Sequence, residues 1–208
     1  LKERKYVIIN FLIIIQGKMK INFIYQCSRV IDRWTRYYRK KCFEGYLGGE
    51  KIDNLSIVGK VYLRNPRVHV GKNVTLYPGV MLHGEGDIYI GDNTFLCNNT
   101  VIYSEKGHEV HIGADCMIAP MCYITNTDHN TEICAEVKTM NKMGVVCQNT
   151  YIEDDVWLAQ NVTVLKGSYI RKGCVIGSKA LIKGETQENG VYVGIPAKLV
   201  NNRRKQVK

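Results

Sequence analysis

The chain has 208 residues, enough to bury a sizeable core, and it carries a formal net charge of +10. The charge lies at the ends, since residues 1–50 carry 11 Lys/Arg against 4 Asp/Glu and residues 201–208 carry four basic side chains. No nucleic-acid-binding motif accompanies these ends, so we expect no nucleic-acid partner, and the composition indicates one mainly β domain with extensions.

The first predicted element is a basic, partly amphipathic helical extension over residues 1–50. Its apolar stretch at 6–15 is about half as long as the ~20 residues that a membrane-spanning helix needs, and no small-residue cleavage site follows it. Residues 21–41 then place apolar side chains at helical spacing, with arginines largely off that side. Two interpretations stay open: contact with an anionic membrane surface, or packing on the first coil of the domain that follows.

From residue 51 onward, aliphatic residues recur at every sixth position, a spacing that matches neither an α-helix nor a simple strand. A second position, four residues after each aliphatic, is usually small or compact. Ile52 and Val58 start the frame, with Arg64 in the third place. The aliphatic series continues through Val70, Leu76, Leu82, Ile90, Leu96, Ile102, Ile112, Ile118, Ile124, Ile152, Leu158, Val164, Ile170, Ile176 and Ile182.

Hexads grouped in threes predict a triangular solenoid, because each hexad forms one short strand and one corner, and three hexads close a coil. The aliphatic side chains then point inward and stack about 4.8 Å apart. We predict an all-β fold, a parallel β-helix of about six coils over residues 51–187, followed by a C-terminal loop and basic tail over 188–208.

The frame is interrupted most strongly between Ile124 and Ile152, which lie 28 residues apart where six would suffice. This insertion predicts a protruding loop over residues 130–149, and loops of such length tend to be functional or disordered. It begins directly after Asp128 and His129. A histidine at this place is either a candidate general base or an ordinary loop residue.

Eight cysteines contain no C-x2-C pair, which argues against a zinc ribbon or a thioredoxin-like redox site. Cys116, Cys122 and Cys174 occupy the compact position of the hexad, where cysteine serves as a small apolar residue. Free thiols in a reducing cytosol are the simplest interpretation, so we expect a cytoplasmic protein. The basic extension leaves the inner face of the cell membrane open as its location.

Residues 90–198 resemble the hexapeptide-repeat acyltransferases of the left-handed β-helix type, particularly the maltose, galactoside and capsular polysaccharide O-acetyltransferase branch. The matching residues are IGADCMIAP, Thr125 and His129 in a T-x3-H spacing, VWLAQNVTVLKGSYIRKGCVIGSKALI, and the terminal GIPAKLV. The left-handed sense of the predicted β-helix comes from this resemblance. The gamma-type carbonic anhydrases share the repeat, but they carry two zinc ligands as an H-x4-H pair that is absent here, so we expect no metal.

The resemblance implies that His129 is the general base and that acetyl-CoA, as co-substrate, lies in a groove between two subunits of a homotrimer. Candidates for the acceptor contacts are Asn98, Asn99 and Asp128. Two residues depart from the family pattern: Ala159 stands where glycine is usual, and Gln160 where a smaller residue is common. Both departures predict a narrower groove for CoA. The groove residues implied by the resemblance are Trp157, Ala159, Gln160, Gly177, Ser178, Lys183 and Lys198.

These features together predict an acetyl-CoA-dependent O-acetyltransferase that acts on a sugar hydroxyl of a cell-surface polysaccharide or its precursor. The basic amphipathic start suits a lipid-linked or polymeric glycan acceptor at the inner face of a membrane. Two alternatives stay open: an O-acetyltransferase of antibiotics or other xenobiotics, and a non-catalytic β-helix scaffold. An amine acceptor in place of a hydroxyl also stays open.

Overall fold

A computed structural model describes residues 2–132 and 139–204, with side chains from residue 21 onward. The chain divides between Tyr38 and Arg39 into two compact units. In chain order the elements are α1 (Lys2–Tyr46), β1 (Ser56–Ile57), β2 (Tyr62–Leu63), β3 (Val68–Val70), β4 (Thr75–Leu76), β5 (Met81–Gly84), β6 (Asp87–Ile90), β7 (Phe95–Leu96), β8 (Val101–Ser104), β9 (Glu109–Ile112), β10 (Met117–Ile118), β11 (Tyr123–Thr125), β12 (Thr127–His129), a 3-10 helix (Met140–Lys142), β13 (Val145–Cys147), β14 (Thr150–Ile152), β15 (Trp157–Leu158), β16 (Thr163–Val164), β17 (Tyr169–Ile170), β18 (Val175–Ile176), β19 (Leu181–Ile182), β20 (Gly190–Gly194) and β21 (Ala197–Asn202).

Three sheets form the sides of the solenoid, and each coil gives one short strand to each of them. Face A has the strand order β1-β4-β7-β10-β15-β18-β20-β21, face B β2-β5-β8-β11-β16-β19, and face C β3-β6-β9-β14-β17. Pairing between coils is parallel, so that Ile118 of β10 lies between Leu96 and Leu158. The predicted fold class, a parallel β-helix with an N-terminal helix, is confirmed, and face A has seven parallel levels.

The sixth-position aliphatics fill the interior, as predicted. From Ile90 to Ile182 none of the series is more than 3% exposed. The compact positions form a second buried set, in which Thr94 uses its hydroxyl to donate to the carbonyl of Gly113 at 2.8 Å. Because each coil is too thin to bury its own apolar side, the continuous stack is what makes this core.

The first coil does not follow the predicted frame. Ile57 pairs with Leu76 and Leu63 pairs with Leu82, so the inward residues here are Ile57 and Leu63 and not Val58 and Arg64, while Ile52 is partly buried against the core. The shift is absorbed after Leu63, where the buried side chain of Asn65 donates to the carbonyl of Gly86 at 2.8 Å and accepts from a backbone N–H nearby.

The C-terminal segment also continues the solenoid beyond residue 187. Strand β20 adds a level to face A, pairing Val191 with Val175, and β21 folds back antiparallel on β20. Residues 190–202 are therefore a β-hairpin that extends face A, where the frame ended and the sequence suggested a loop and tail.

The corner between faces B and C is where the three interruptions of the frame lie. The segments after Leu82, Ile102 and Ile124 all leave face B and return on face C, and the strands around the first two lengthen to four residues and pair with each other. The third is the long insertion. Irregular backbone therefore accumulates along one edge of an otherwise regular rod, and this edge carries His129.

Candidate active site

The long insertion begins as an antiparallel strand pair. Strand β12 pairs with β13 with His129 opposite Val145 and Thr127 opposite Cys147. The segment predicted as a loop over 130–149 therefore has regular structure at its base, and residues 133–138 lie outside the described part of the chain. His129 is held on a two-stranded ribbon that projects from the solenoid.

A buried polar network fastens this ribbon to the coil below it. The fully buried side chain of Asn126 accepts the backbone N–H of Glu105 at 2.8 Å and donates to the hydroxyl of Ser104 at 3.0 Å. The backbone carbonyl of Asn126 accepts the N–H of Gln148 at 2.9 Å, where the ribbon returns. Sequence reasoning missed Asn126, although an amide directly after the inward Thr125 is the signal that could have found it.

His129 is exposed at the end of β12. Its backbone N–H donates to Oδ1 of Asp128 at 2.9 Å, and Oδ2 of Asp128 lies 3.4 Å from Nζ of Lys166 on the next coil. The imidazole makes no hydrogen bond to any residue that the structure describes. A ring in this state is free to accept a proton from a bound hydroxyl group.

Asp128, predicted as an acceptor contact, thus caps its neighbour's backbone and is tied to Lys166. The geometry leaves its carboxylate 62% exposed.

A polar aromatic group lies on face B beside the ribbon. The Tyr103 hydroxyl donates to Oε2 of Glu105 at 2.6 Å, and this hydrogen bond, together with burial, raises the pKa of Tyr103 to about 12. The ring of His83 meets Tyr103 edge-on at 4.8 Å, and Nε2 of His83 is buried without a hydrogen-bond partner among the described residues.

The pKa of His83 gives a testable pH dependence. Burial lowers it, and Arg64 lowers it further. Because the folded-state pKa lies below the unfolded value of about 6.5, the neutral ring contributes stability that is present above that pH and is lost as the pH falls below it. We expect the urea midpoint of the wild type to fall more steeply than that of His83→Gln between about pH 7 and pH 5. Parallel curves for the two proteins would contradict this.

Four of the seven predicted groove residues lie on face A. Trp157 lies on β15 and is 43% exposed, and Ala159 directly follows that strand and is 7% exposed. Gly177 follows β18 on the next level, where an added Cβ would come within 2.8 Å of Val193 Cγ1, so glycine there lets the C-terminal hairpin pack closely. Lys198 belongs to that hairpin and pairs with Val193.

The other predicted groove residues lie elsewhere. Gln160 and Ser178 are exposed at the corner between faces A and B, and Lys183 follows β19 on face B. The structure therefore places Trp157, Ala159, Gly177 and Lys198 within or directly next to the strands of face A, and it does not bring Lys183 to that face.

Asn98 and Asn99 lie at the same A–B corner, two levels before Gln160. Asn99 has φ 59°, and its Oδ1 lies where a side chain on Gly79 would be. Met121 and Asn161 take the same left-handed conformation at equivalent places. Since asparagine adopts that conformation at low cost, forming the corner is by itself enough to explain Asn99.

Within the described residues, no group of three or more His, Cys, Asp or Glu side chains is arranged to hold a metal ion. In that same part of the chain, no helix combines the length and apolar character needed to cross a bilayer.

The sequence of this chain is similar to those of known acetyltransferases. No family model matches the chain. A putative lipopolysaccharide biosynthesis O-acetyl transferase of Escherichia coli is 31% identical over 160 residues, covering 71% of this chain and 78% of that protein. The chain belongs to the hexapeptide-repeat acyltransferases. The predicted family is confirmed, and with it the acyltransferase class.

A second relative in this family is a probable acetyltransferase of Mycobacterium tuberculosis. It is 33% identical over 138 residues, which cover 66% of this chain but 43% of the mycobacterial protein. Among solved structures, a variant of the N-acyltransferase AntD from Bacillus cereus, bound to coenzyme A and an amino sugar nucleotide, superposes with a TM-score of 0.63. It is 19% identical and covers 73% of this chain and 82% of its own, which confirms the β-helix fold.

Proposed function

We propose that this protein is an acetyl-CoA-dependent O-acetyltransferase of a sugar hydroxyl in a cell-surface polysaccharide or its precursor, with His129 as the general base. The observation that carries the proposal is the exposed imidazole of His129, held on an anchored ribbon and without a hydrogen bond to the described residues. The name of the Escherichia coli relative supports the acceptor class, because the match spans most of both chains.

The chemistry fits a neutral imidazole. A sugar hydroxyl is a poor nucleophile near pH 7, so His129 accepts its proton as the oxygen attacks the thioester carbonyl of acetyl-CoA. The tetrahedral intermediate then collapses, the C–S bond breaks, and the imidazolium returns the proton to the departing thiolate. The products are the acetyl ester and CoA thiol. Positioning both substrates in one groove supplies much of the remaining acceleration.

The test is release of CoA thiol from acetyl-CoA in the presence of an acceptor panel. The panel contains a neutral polysaccharide, a lipid-linked sugar, an amino sugar and a macrolide. Thiol release with a glycan hydroxyl supports the proposal. Thiol release only with the amino sugar would indicate an amine acceptor, and release only with the macrolide would indicate an antibiotic acceptor. No thiol release with any acceptor would indicate a non-catalytic scaffold.

We also propose a homotrimer with acetyl-CoA between subunits. Large apolar side chains are exposed around the A–B corner, and patches of this kind mark contact surfaces. They are Met117 (42%), Met121 (45%), Tyr123 (41%) and Trp157 (43%). A neighbouring subunit at this corner would cover them and would deepen the shallow surface beside Ala159.

A charge at that corner tests the assembly. We expect Met117→Glu to lower the mass seen by light scattering from that of a trimer to that of a monomer, because the charge would be buried at the contact. Met140→Glu is the matched control, since Met140 is 59% exposed in the segment before β13. If Met117→Glu keeps the wild-type mass, or the wild type is a monomer, the trimer proposal fails.

The N-terminal helix supports a further proposal, contact with an anionic membrane surface. Most of the apolar side chains described from residue 21 onward are exposed along one side of the helix, and Arg29, Arg33 and Arg36 lie with Asp32 on the other. A helix of this pattern lies in the interface, where arginine meets anionic headgroups. The exposed apolar residues on the first side are Phe23 (70%), Ile24 (66%), Val30 (55%), Ile31 (64%), Trp34 (58%), Tyr37 (53%) and Tyr38 (62%), whereas Ile21 (68%) and Tyr25 (58%) lie on the arginine side.

Co-sedimentation with lipid vesicles tests this contact. We expect the protein to pellet with vesicles containing anionic lipid and to stay in solution with neutral vesicles or at high salt. Trp34→Glu should abolish pelleting, whereas Tyr25→Glu replaces an exposed aromatic side chain with the same charge nine residues away, on the opposite side of the helix, and should reduce pelleting little. Equal effects of the two substitutions would argue against the proposed orientation.

A further inference from the structure

A column of aromatic rings runs along face C, away from His129 and Trp157. Each ring lies one position before the inward aliphatic of its coil, so the rings repeat at the spacing of the strands. Successive ring centroids are 4.5, 4.9, 6.2 and 5.5 Å apart, and the guanidinium of Arg171 covers the last ring at 4.3 Å. The column consists of His69, Tyr89, His111, Tyr151 and Tyr169.

The middle of this column forms one wall of a groove of about 600 Å³. Gly113 leaves the floor bare, since an added Cβ would come within 2.6 Å of Oδ1 of Asp154. Asp154 and Lys172 also line the groove, with their charged groups 3.9 Å apart. Tyr89 is stacked between His69 and His111, which covers the faces of its ring, whereas the pairs that involve Tyr151 are tilted by 37° and 38°.

Several hydrogen-bonding groups in the groove are unused. Glu109 accepts the hydroxyl of Tyr151 at 2.6 Å through Oε1, which leaves Oε2 without a partner among the described residues. The hydroxyl of Tyr89 and the imidazole nitrogens of His111 likewise make no hydrogen bond within the described part of the chain. The groove therefore offers acceptors, donors and groups that can act as either.

We propose that this groove binds neutral sugar units of the acceptor glycan, outside the site of acetyl transfer; the inference rests on the proposed function. A sugar is the ligand that both donates and accepts from many hydroxyls at once, as these groups require. The groove's carboxylates (Glu109, Glu153, Asp154) outnumber its lysine, which disfavours an anionic polymer or the phosphates of CoA. The column also runs along the axis, as an extended chain would.

Face C remains open in the proposed trimer. The exposed apolar residues surround the A–B corner, whereas the groove on face C is lined mainly by tyrosine, histidine and charged residues. A polymer bound there would be held on the same subunit that carries His129, which raises the local concentration of its acceptor hydroxyls.

Direct binding tests the inference without turnover. Maltohexaose, cellohexaose and mannohexaose are the neutral probes and a hexamer of sialic acid is the charged one, titrated into His129→Ala by calorimetry. We expect at least one neutral hexasaccharide to bind more tightly than the sialic acid hexamer. His111→Ala combined with Tyr89→Phe should weaken the binding of that hexasaccharide about tenfold, because the double variant removes hydrogen-bonding groups that the sugar would use.

The matched control is His69→Ala, which removes the same ring from the same column outside the groove and should leave the affinity unchanged. The inference is overturned if no neutral hexasaccharide binds, if the sialic acid hexamer binds best, or if the groove variant and the control behave alike.

Kinetics separate this inference from the proposed function. With a polymeric acceptor the groove variant should raise KM and keep kcat, and with a single repeating unit it should change neither. Turnover with an unchanged KM for the polymer would refute the groove and leave the function standing. Hexasaccharide binding that depends on His111 and Tyr89, without acetyl transfer to any acceptor, would support the groove and refute the proposed function.

Discussion

Replacing His129 with alanine is expected to lower kcat/KM for acetyl transfer by roughly 10²- to 10⁴-fold, the range typical of general-base catalysis. The ring is exposed and carries none of the core, so the stability of the fold should not change. The measurement is CoA thiol release with the best acceptor of the panel, together with the urea midpoint. KM for acetyl-CoA should stay near the wild-type value, because none of the proposed groove residues lies on the ribbon that carries His129.

The control for this experiment is Lys142→Ala, which alters an exposed side chain in the 3-10 helix of the same insertion. It should retain wild-type activity if the effect belongs to the imidazole. His129→Ala at wild-type rates would remove the assigned base. Equal losses in both variants would show that the insertion as a whole, and not the ring, is responsible.

The solenoid could be predicted because its core is local in sequence. From Ile90 to Ile182, both the inward aliphatics and the compact residues four places later are buried as the hexad rule requires. The rule failed in the first coil, where Ile57 and Leu63 replace the predicted Val58 and Arg64. A period of six tolerates a shift of one residue there, and only the pairing with the second coil decides the register.

The candidate site could be predicted only in part. The insertion after Asp128 marked His129 as exposed and special, because an interruption of a strict repeat is visible in the sequence. The hydrogen bonds that Asn126 makes to Ser104 and Glu105 span 22 and 21 residues and follow no sequence period. Contacts of this kind depend on how two irregular corners stack, which the hexad rule does not describe.

The C-terminal hairpin is a regular element that the sequence did not predict, although its motif was recognised. GIPAKLV was recognised as a motif and treated as a loop, yet Val191 continues the face A ladder and β21 folds back on it. Its close packing against Gly177 explains a glycine that the resemblance assigned to the CoA groove.

Asn126 is expected to position the ribbon that carries His129. Asn126→Ala removes the acceptor for the partly buried backbone N–H of Glu105 and the donor to Ser104, which should cost about 1–3 kcal/mol of unfolding free energy. Because the ribbon is fastened at this point, the imidazole should also lose its alignment, and kcat should fall by up to ~10²-fold. KM for acetyl-CoA should change little. Urea unfolding and steady-state kinetics measure the two effects separately.

Thr94→Ala is the matched control, because it also removes a fully buried polar side chain that bonds backbone groups of the next coil, at 2.8 and 3.0 Å. Thr94 directly precedes β7 of face A, and no described hydrogen bond of its side chain reaches the ribbon. The control should therefore lose a similar amount of stability and retain kcat under conditions where both variants are folded. A proportional loss of kcat in both would mean that Asn126 acts through stability alone, and the ribbon would then be held by its strand pairing and the Asp128–Lys166 contact.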